Sequence, residues 1–347
     1  MPNDRIYLDY AATTPLLPAA REAWLEGAAL WANPSSPHAP GRAARAALED
    51  ARARVKAALR WEGEVVFTSG ASEALALAIG RSKVALQAVS AVEHDAVLRL
   101  AGDVSRLPVD ARGRVSPESA ALEGLVAVQQ VNSETGVVQD LPAIAEAVRS
   151  AGGVLLADCA QGAGKRALPD ADMIVLSAHK FGGPIGIGAL LVRDWNLLHP
   201  TGGQERGYRA GTENVPGALA MVAALEAGSD WTAEAARLRA LLDQAVAEAG
   251  GELVAANADR AATIASYRMP GKSANAQLIR FDAMGIAVSA GSACSSGSLR
   301  TSHVLEAMAY PHPAEVIRVS IGRETSEAEI DRFVAAWQQI AGIKVQA

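Results

Sequence analysis

The chain has 347 residues, of which 32 are lysine or arginine and 38 are aspartate or glutamate, giving a net charge of −6. This balance creates no overall attraction to nucleic acid or to an anionic membrane, and we expect neither as a partner. The length exceeds what one compact core usually holds, and 50% hydrophobic with 20% charged residues is typical of globular proteins, so two domains are expected.

The start of the chain lacks the basic-then-apolar pattern of a signal peptide, and no apolar run is long enough to span a membrane. The two cysteines, Cys159 and Cys294, are too few for a disulfide framework and do not have metal-ligand spacing. We therefore predict a cytoplasmic protein without a metal site.

The first long helix is predicted where small and apolar residues recur every three or four positions between residues 44 and 59. Its opposite face carries Arg45, Arg52 and Lys56, interrupted by acidic residues. Such a face suits either an RNA contact or solvent, and the interruption by acidic residues favours solvent.

Residues 64–68 have the pattern of a strand, which runs through the small residues 69–72 into an alanine- and leucine-rich helix. A strand, a turn of small residues and a helix N-terminus can form an anion site made of free backbone N–H groups. A purely structural turn would have the same pattern, so both interpretations stay open at this point.

A helix is predicted from Pro142 to about Ser150, and the apolar run that follows it, residues 153–157, ends in Asp158. A carboxylate at the carboxyl end of a buried strand lies where open α/β sheets build ligand sites. Facing a pyridine nitrogen, Asp158 would keep that nitrogen protonated and so turn the ring into an electron sink. Gln161 follows three residues later.

Lys180 comes after another apolar run, residues 172–176, and lies between polar residues and a glycine turn. A lysine amine at a strand end can lose its proton through desolvation and form a Schiff base with an aldehyde. Taken alone, a lysine before a glycine turn is more often an ordinary surface residue.

Strand and helix patterns alternate along much of the chain, which favours a largely parallel sheet covered on both sides by helices. A long helix from about Trp231 to Ala249 ends at a glycine pair, where we place a domain boundary. The predicted α/β protein thus has a large, mainly parallel-sheet domain, residues 15–249, and a smaller α+β domain, residues 1–14 and 250–347.

Cys294 lies in a segment rich in serine, glycine and alanine, residues 289–298, which is typical of a flexible loop. An ordinary linker with an incidental cysteine would have the same composition. An exposed thiol is liable to oxidation and needs a reason, and delivery of sulfur from a buried site to an outside acceptor is one. Cys159, just beyond a buried strand, is predicted to be a small packing residue.

Taken in order, these segments resemble the cysteine desulfurases of the NifS/IscS type, within the class V aminotransferase-like, pyridoxal-phosphate-dependent family. The resemblance runs almost from end to end. The segments that carry it are residues 7–15, 33–38, 41–42, 68–73, 93–97, 177–184, 202–207, 209–214, 289–298 and 317–323.

The resemblance implies a pyridoxal-phosphate-dependent transferase of fold type I, with the cofactor pyridoxal 5'-phosphate held by Lys180 and His94 stacked on its ring. Asp158 would pair with the ring nitrogen, and Gln161 would donate to the phenolic oxygen. The family pattern also implies a homodimer in which Thr212 reaches the phosphate of the partner subunit. The remaining cofactor contacts implied by the resemblance are Ala71, Ser72, Ser133, Ser177 and His179.

For the reaction, the resemblance implies that Lys180 removes the Cα proton of L-cysteine and that His94 shuttles protons to the leaving sulfur. Cys294 would take the sulfur as a persulfide and pass it to an acceptor, such as an iron–sulfur scaffold protein. Arg318 would bind the substrate carboxylate as a planar fork. Ser133, expected to contact cofactor and substrate, stands where the family usually has asparagine.

Two alternatives remain. A selenocysteine lyase or another class V aminotransferase-like enzyme would not need a thiol in the loop 291–298. A non-enzymatic sulfur carrier with the same fold is the third hypothesis, and the presence of Lys180, Asp158 and His94 argues against it.

Overall fold

The computed structural model describes residues 5–291 and 301–343. The helices are α1 Pro18–Ala29, α2 Ala39–Leu59, α3 Ala71–Gly80, α4 Asp95–Ala101, α5 Pro117–Ala120, α6 Leu141–Ser150, α7 Val215–Glu226, α8 Thr232–Glu248, α9 Ala274–Ala283, α10 His303–Ala307 and α11 Glu327–Ala341. The strands are β1 Ile6–Tyr7, β2 Glu64–Thr68, β3 Leu86–Ser90, β4 Ser105–Leu107, β5 Leu125–Gln129, β6 Val154–Asp158, β7 Met173–Ser177, β8 Gly188–Val192, β9 Glu252–Leu253, β10 Ile264–Arg268, β11 Ile286–Ala287 and β12 Val316–Ser320.

Seven strands form the main sheet, in the order β2-β8-β7-β6-β5-β3-β4. The pairs among β4, β3, β5, β6 and β7 are parallel, whereas β8 is antiparallel to both of its neighbours. Parallel neighbours direct their carboxyl ends to the same edge, which is where such sheets build ligand sites. The predicted α/β architecture with a mainly parallel sheet is confirmed.

Side chains of the central strands alternate between two apolar cores, one on each face of the sheet. In β7, Ile174 and Leu176 pack with helices α1, α2, α6 and α7, whereas Met173 and Val175 pack with α3 and α4. Every residue of β7 is buried, as the apolar run predicts for a strand covered by helices on both sides.

A separate core forms around a second sheet, β12-β10-β9, and the two-stranded pair β1-β11. Ile6 and Leu8 from the start of the chain belong to this core, because β1 pairs with β11. The buried face of α8 also packs here, although the sequence assigned that helix to the large domain. We therefore propose a domain boundary before α8, near residue 230, rather than after residue 249.

Helix α2 differs from the sequence prediction at one arginine. Arg52 was expected on a solvated face, yet it is 3% exposed, and its Nη1 and Nη2 donate to Glu205 over 2.8 and 3.1 Å. The prediction was wrong because the carboxylate that compensates the buried charge lies 153 residues away. Loss of one partner from such a buried pair typically costs about 3–5 kcal/mol of stability.

Within the described ranges 5–291 and 301–343, none of the helices combines the length and apolar character that crossing a membrane requires.

Candidate active site

The ends of five strands, β2, β3, β5, β6 and β7, border one pocket of about 390 Å³. Most of the predicted site residues line it: Ala71, Ser72, His94, Ser133, Asp158, Gln161, Ser177, His179, Lys180 and Arg318. Thr212 is exposed and does not belong to the described lining, and Cys294 lies outside the described residues. Nine of these residues lie in the large domain at the carboxyl-end edge of the main sheet, and Arg318 reaches the pocket from β12 of the second sheet.

Lys180 ends a short 3-10 turn, Ala178–Lys180, directly after β7. Its Nζ donates to the carbonyl oxygens of Ala11 and Ala12 at 2.7 and 2.9 Å. The backbone carbonyl of Lys180 accepts from Thr14 Oγ1 at 2.9 Å. The N-terminal segment thus holds both ends of this residue and directs its amine into the pocket.

Asp158 is the last residue of β6 and is 8% exposed. One carboxylate oxygen, Oδ1, accepts the backbone N–H of Ala160 at 2.9 Å. Burial raises the pKa of Asp158, while the Ala160 N–H and the charges of His94 and Lys180 lower it. A buried carboxylate at a strand end, partly compensated in this way, is suited to bind the protonated nitrogen of an aromatic ring.

The turn between β2 and α3 has the geometry of an anion site. Gly70, the residue before α3, has φ 147° and ψ −177°, a conformation that strongly favours glycine. The ten residues of α3 then begin at Ala71, so its first N–H groups and the positive end of its dipole border the pocket. Ser177 and His179 line the same pocket and can donate to an anion there.

Two imidazoles border the pocket from different elements. His94 caps α4, and its Nδ1 accepts the N–H of Ala96 at 3.1 Å, so the neutral ring carries its proton on Nε2. Nδ1 of His179 lies 2.9 Å from Thr13 Oγ1. Burial, followed by the charges of Lys180 and Lys165, lowers the pKa of His179 to about 4, so this ring is neutral at pH 7.

The lowered pKa of His179 has a consequence for acid stability. An unfolded histidine titrates near pH 6.5, so between about pH 6.5 and 4 the unfolded chain binds the proton that the folded chain does not. This group therefore favours unfolding as the pH falls through that window. We expect His179→Gln to lose less unfolding free energy than the wild type between pH 6.5 and 4 in urea titrations. Parallel curves for the two proteins would contradict the assignment.

Three polar side chains that line the pocket, those of Glu93, Gln161 and Arg318, have a buried atom without a hydrogen-bond partner among the described residues. Arg318 donates from Nη1 to the carbonyl of Ser133 at 3.0 Å and from Nη2 to Asp9 Oδ1 at 2.9 Å, while its buried Nε lacks an acceptor. Gln161 donates from Nε2 to Ala11 O at 2.9 Å, and its buried Oε1 lacks a donor. Unsatisfied buried groups of this kind are uncommon and indicate a place for a ligand.

Sequence reasoning did not assign a role to several pocket residues. Glu93 and Glu134 are 0% and 4% exposed, and His303 lines the pocket from the first residue of α10. Ser302, which caps α10, donates from its hydroxyl to Glu134. Glu93 lies in the segment 93–97, which is one of those that carry the resemblance. Its place directly before His94 was therefore the signal that the sequence offered.

Within the described ranges, no group of three or more potential metal ligands occurs.

The fold and the site together define a class of protein: the chain belongs to the class V aminotransferase family, whose model, Aminotransferase class-V, matches residues 6–333. A cysteine desulfurase of Cereibacter sphaeroides is 38% identical, with 95% of this chain and 94% of that protein covered. A solved NifS-like protein from Rickettsia africae has a TM-score of 0.89 at 27% identity and covers 98% of this chain and 100% of its own. A structure described as SspA in complex with cysteine has a TM-score of 0.78 at 27% identity, covering 91% and 98%. These likenesses confirm the predicted family and fold type.

Proposed function

We propose that this protein is a pyridoxal-phosphate-dependent cysteine desulfurase, which converts L-cysteine to L-alanine and transfers the sulfur to Cys294. The observation that carries the proposal is one pocket bordered by the amine of Lys180, the buried carboxylate of Asp158 and the N-terminus of α3. The relatives named above support the proposal. One is a cysteine desulfurase that aligns with this chain over nearly its whole length, and another was solved in complex with cysteine.

The residues present fit the cofactor. An aldehyde needs an amine, a pyridine nitrogen needs a carboxylate, and a phosphate needs donors: Lys180, Asp158 and the first turn of α3 supply these three groups around one cavity. His94 would lie against the ring, and the buried Oε1 of Gln161 and Nε of Arg318 leave polar atoms for ligand contacts. When bound, the protonated ring stabilises negative charge that develops at the substrate Cα.

The chain's own residues then move the protons. Nζ of Lys180 takes the Cα proton, and the carbonyls of Ala11 and Ala12 hold that nitrogen at the pocket wall when it is protonated. The buried carboxylate of Asp158 would hold the ring nitrogen of the cofactor in its protonated form. The neutral ring of His94 carries its hydrogen on Nε2 and would donate it to the substrate sulfur.

The sulfur transfer balances without an external oxidant. The Cys294 thiolate attacks the substrate Sγ, so a sulfur–sulfur bond forms while the Cβ–Sγ bond breaks. The electron pair of the broken bond goes to Cβ, which takes a proton, and alanine leaves. The cysteine keeps a persulfide, from which a thiol-bearing acceptor or reductant removes the outer sulfur.

A single assay tests this function against its alternatives. Purified protein loaded with pyridoxal 5'-phosphate should release alanine and sulfide in equal amounts from L-cysteine when dithiothreitol is present. Turnover of L-selenocysteine without turnover of L-cysteine would instead indicate a selenocysteine lyase. Amino transfer from alanine to an oxo acid, without sulfide release, would indicate an aminotransferase.

Arg318 is proposed to bind the substrate carboxylate, and its fork geometry provides the test. Lysine at this position keeps the positive charge near Asp9 but loses the planar pair of donors. Loss of one charge-assisted hydrogen bond corresponds to roughly a tenfold change in affinity, so Arg318→Lys should raise KM for L-cysteine about tenfold. Arg280→Ala, on the exposed end of α9, is the control and should leave KM unchanged. An unaltered KM in Arg318→Lys would remove this residue from the substrate site.

The proposed assembly is a homodimer in which Thr212 completes the phosphate site of the partner subunit. Thr212 is exposed and is not part of the pocket of its own chain, which agrees with such a role. We expect light scattering to find twice the chain mass of 35.9 kDa, and Thr212→Ala to bind pyridoxal phosphate more weakly without dissociating the dimer. A fully active monomer would contradict this arrangement.

The proposed cellular setting is the cytoplasm, where the two cysteines of the chain would stay reduced. The proposed recipient of the persulfide is a sulfur-acceptor protein, such as an iron–sulfur scaffold.

A further inference from the structure

Glu93 is a buried carboxyl group in the pocket that the proposed reaction does not use. It follows β3, is 0% exposed and borders the cavity. Its Oε1 accepts the backbone N–H of Gln129 at 2.7 Å. Its Oε2 is fully buried and has no hydrogen-bond partner among the described residues. A buried carboxylate oxygen without a hydrogen bond costs free energy, and protonation of the carboxyl group removes the buried charge.

The main sheet places a second carboxyl group at the same edge, with one strand between the two. Gln129, which holds Glu93 Oε1, is the register partner of Asp158 on the parallel strand β6. Strand β5 lies between β3 and β6, and adjacent strands are about 4.8 Å apart, so the two strands that carry these groups end about 10 Å apart at the same edge of the sheet. Both groups are buried at one pocket, where the negative charge of Asp158 disfavours a second anion on Glu93.

The contacts of each group decide which one holds the proton. Asp158 accepts the Ala160 N–H, and the charges of His94 and Lys180 further stabilise its anion. Glu93 has one N–H donor, and its burial and the charge of Asp158 raise its pKa well above the ordinary value. The balance therefore favours a neutral Glu93 and an ionised Asp158.

Hydrogen bonds to the backbone carbonyls of Glu93 and of the residue before it fix the backbone here, which disfavours a rotation of the carboxyl group toward solvent. Nε2 of His303 contacts the Glu93 carbonyl at 2.9 Å, and Asn132 Nδ2 donates to the carbonyl of Val92 at 3.1 Å. The titratable groups around this carboxyl are Asp158, Cys159, His94 and His303. Cys159 is fully buried, and the charges of Asp158 and Glu93 add to burial in raising its pKa, so it is neutral.

We propose that Glu93 is a neutral carboxylic acid with its proton on Oε2, so that Glu93 and Asp158 together carry one negative charge. Glu93 is then a positioning residue that acts through Asp158. Because Glu93 is neutral, the two carboxyl groups carry a single negative charge, which equals the charge of one bound cation. The match to a ring N–H⁺ rests on the proposed function, whereas the proton on Glu93 is a property of the protein without cofactor.

Infrared spectroscopy of the apoprotein tests the proton directly. In protein labelled with ¹³C-glutamate, a carbonyl band of a protonated carboxylic acid should be present at pH 7.5. The band should disappear in Glu93→Gln and persist in Glu134→Gln, the matched variant of the other buried glutamate in the pocket. Absence of the band in the wild type, or its persistence in Glu93→Gln, would overturn the proposal. This readout is independent of the reaction.

The pH dependence of stability gives a second readout on the apoprotein. An unfolded glutamate loses its proton near pH 4.3, whereas the folded acid keeps it to higher pH, so folding loses free energy as the pH rises above about 4.3. Glu93→Gln removes that dependence. The unfolding free energy of Glu93→Gln relative to the wild type should therefore increase between pH 4.5 and 7.5. A constant difference would contradict a proton held by Glu93.

Variants of matched size separate the neutral acid from an anion. Glutamine retains an acceptor for the Gln129 N–H and a neutral donor, so Glu93→Gln should keep the Kd for pyridoxal phosphate within about threefold of the wild type. Glu93→Met has neither group and should weaken binding at least about tenfold. An equal loss of affinity for pyridoxal phosphate in both variants would show that an anion is required at this position. An unchanged affinity in both variants would show that the proton on Glu93 has no role in binding. Failure of the wild type to bind the cofactor would refute the proposed function and leave the infrared result to stand by itself.

Discussion

Replacement of Lys180 by alanine should lower the turnover of L-cysteine by about 10³-fold, the usual effect of losing a positioned general base. In the structure, the Nζ of this residue is held in the pocket by the Ala11 and Ala12 carbonyls. Alanine has no amine to take the Cα proton. The loss should therefore appear in kcat more than in KM, because the residues proposed to bind the substrate remain.

The same variant tests the link between protein and cofactor. Wild-type protein treated with pyridoxal phosphate and borohydride should gain the mass of the reduced cofactor on the peptide that contains Lys180. Lys180→Ala should not gain it, whereas Lys83→Ala, at an exposed lysine far along the chain, should react like the wild type. Labelling of a different lysine would transfer the proposed role to that residue.

Much of this site could be predicted from the sequence because its residues follow strands with strong local signals. Residues 64–68 were predicted as a strand and form β2, Asp158 ends β6, and Lys180 follows β7, as the apolar runs indicated. Parallel strands bring their carboxyl ends together, so order along the chain was enough to place these residues at one edge. Cys159, predicted as a packing residue, is fully buried.

Long-range partners could not be predicted in the same way. Lys180 contacts carbonyls 168 and 169 residues away, and backbone carbonyls leave no trace in side-chain composition. The buried pairing of Arg52 with Glu205 is also set by tertiary packing, and helical periodicity gave the wrong environment for this arginine. The electrostatic effect of Asp158 on Glu93 is also set by tertiary structure, because β5 lies between β3 and β6 in the sheet.

The two cysteines of the chain provide the sharpest test of sulfur transfer. Cys294→Ser should bind pyridoxal phosphate and L-cysteine as the wild type does, because neither event uses the thiol. It should nevertheless form alanine at least about 10³-fold more slowly, since a hydroxyl is a poor nucleophile toward sulfur at neutral pH. Cofactor absorbance and alanine release, measured on the same sample, separate binding from transfer.

Cys159→Ser is the matched control, because the substitution is chemically identical but lies in the core. Cys159 is 0% exposed, and burial raises the pKa of its thiol well above the usual value, so it is neither accessible nor ionised. We expect this variant to retain turnover, with a loss of roughly 1–3 kcal/mol in unfolding free energy if the new hydroxyl lacks a partner. After incubation with L-cysteine, mass spectrometry of the wild type should find one additional sulfur on the peptide of Cys294. Additional sulfur on Cys159, or full turnover in Cys294→Ser, would show that the enzyme releases sulfur without this protein thiol and would favour the lyase alternative.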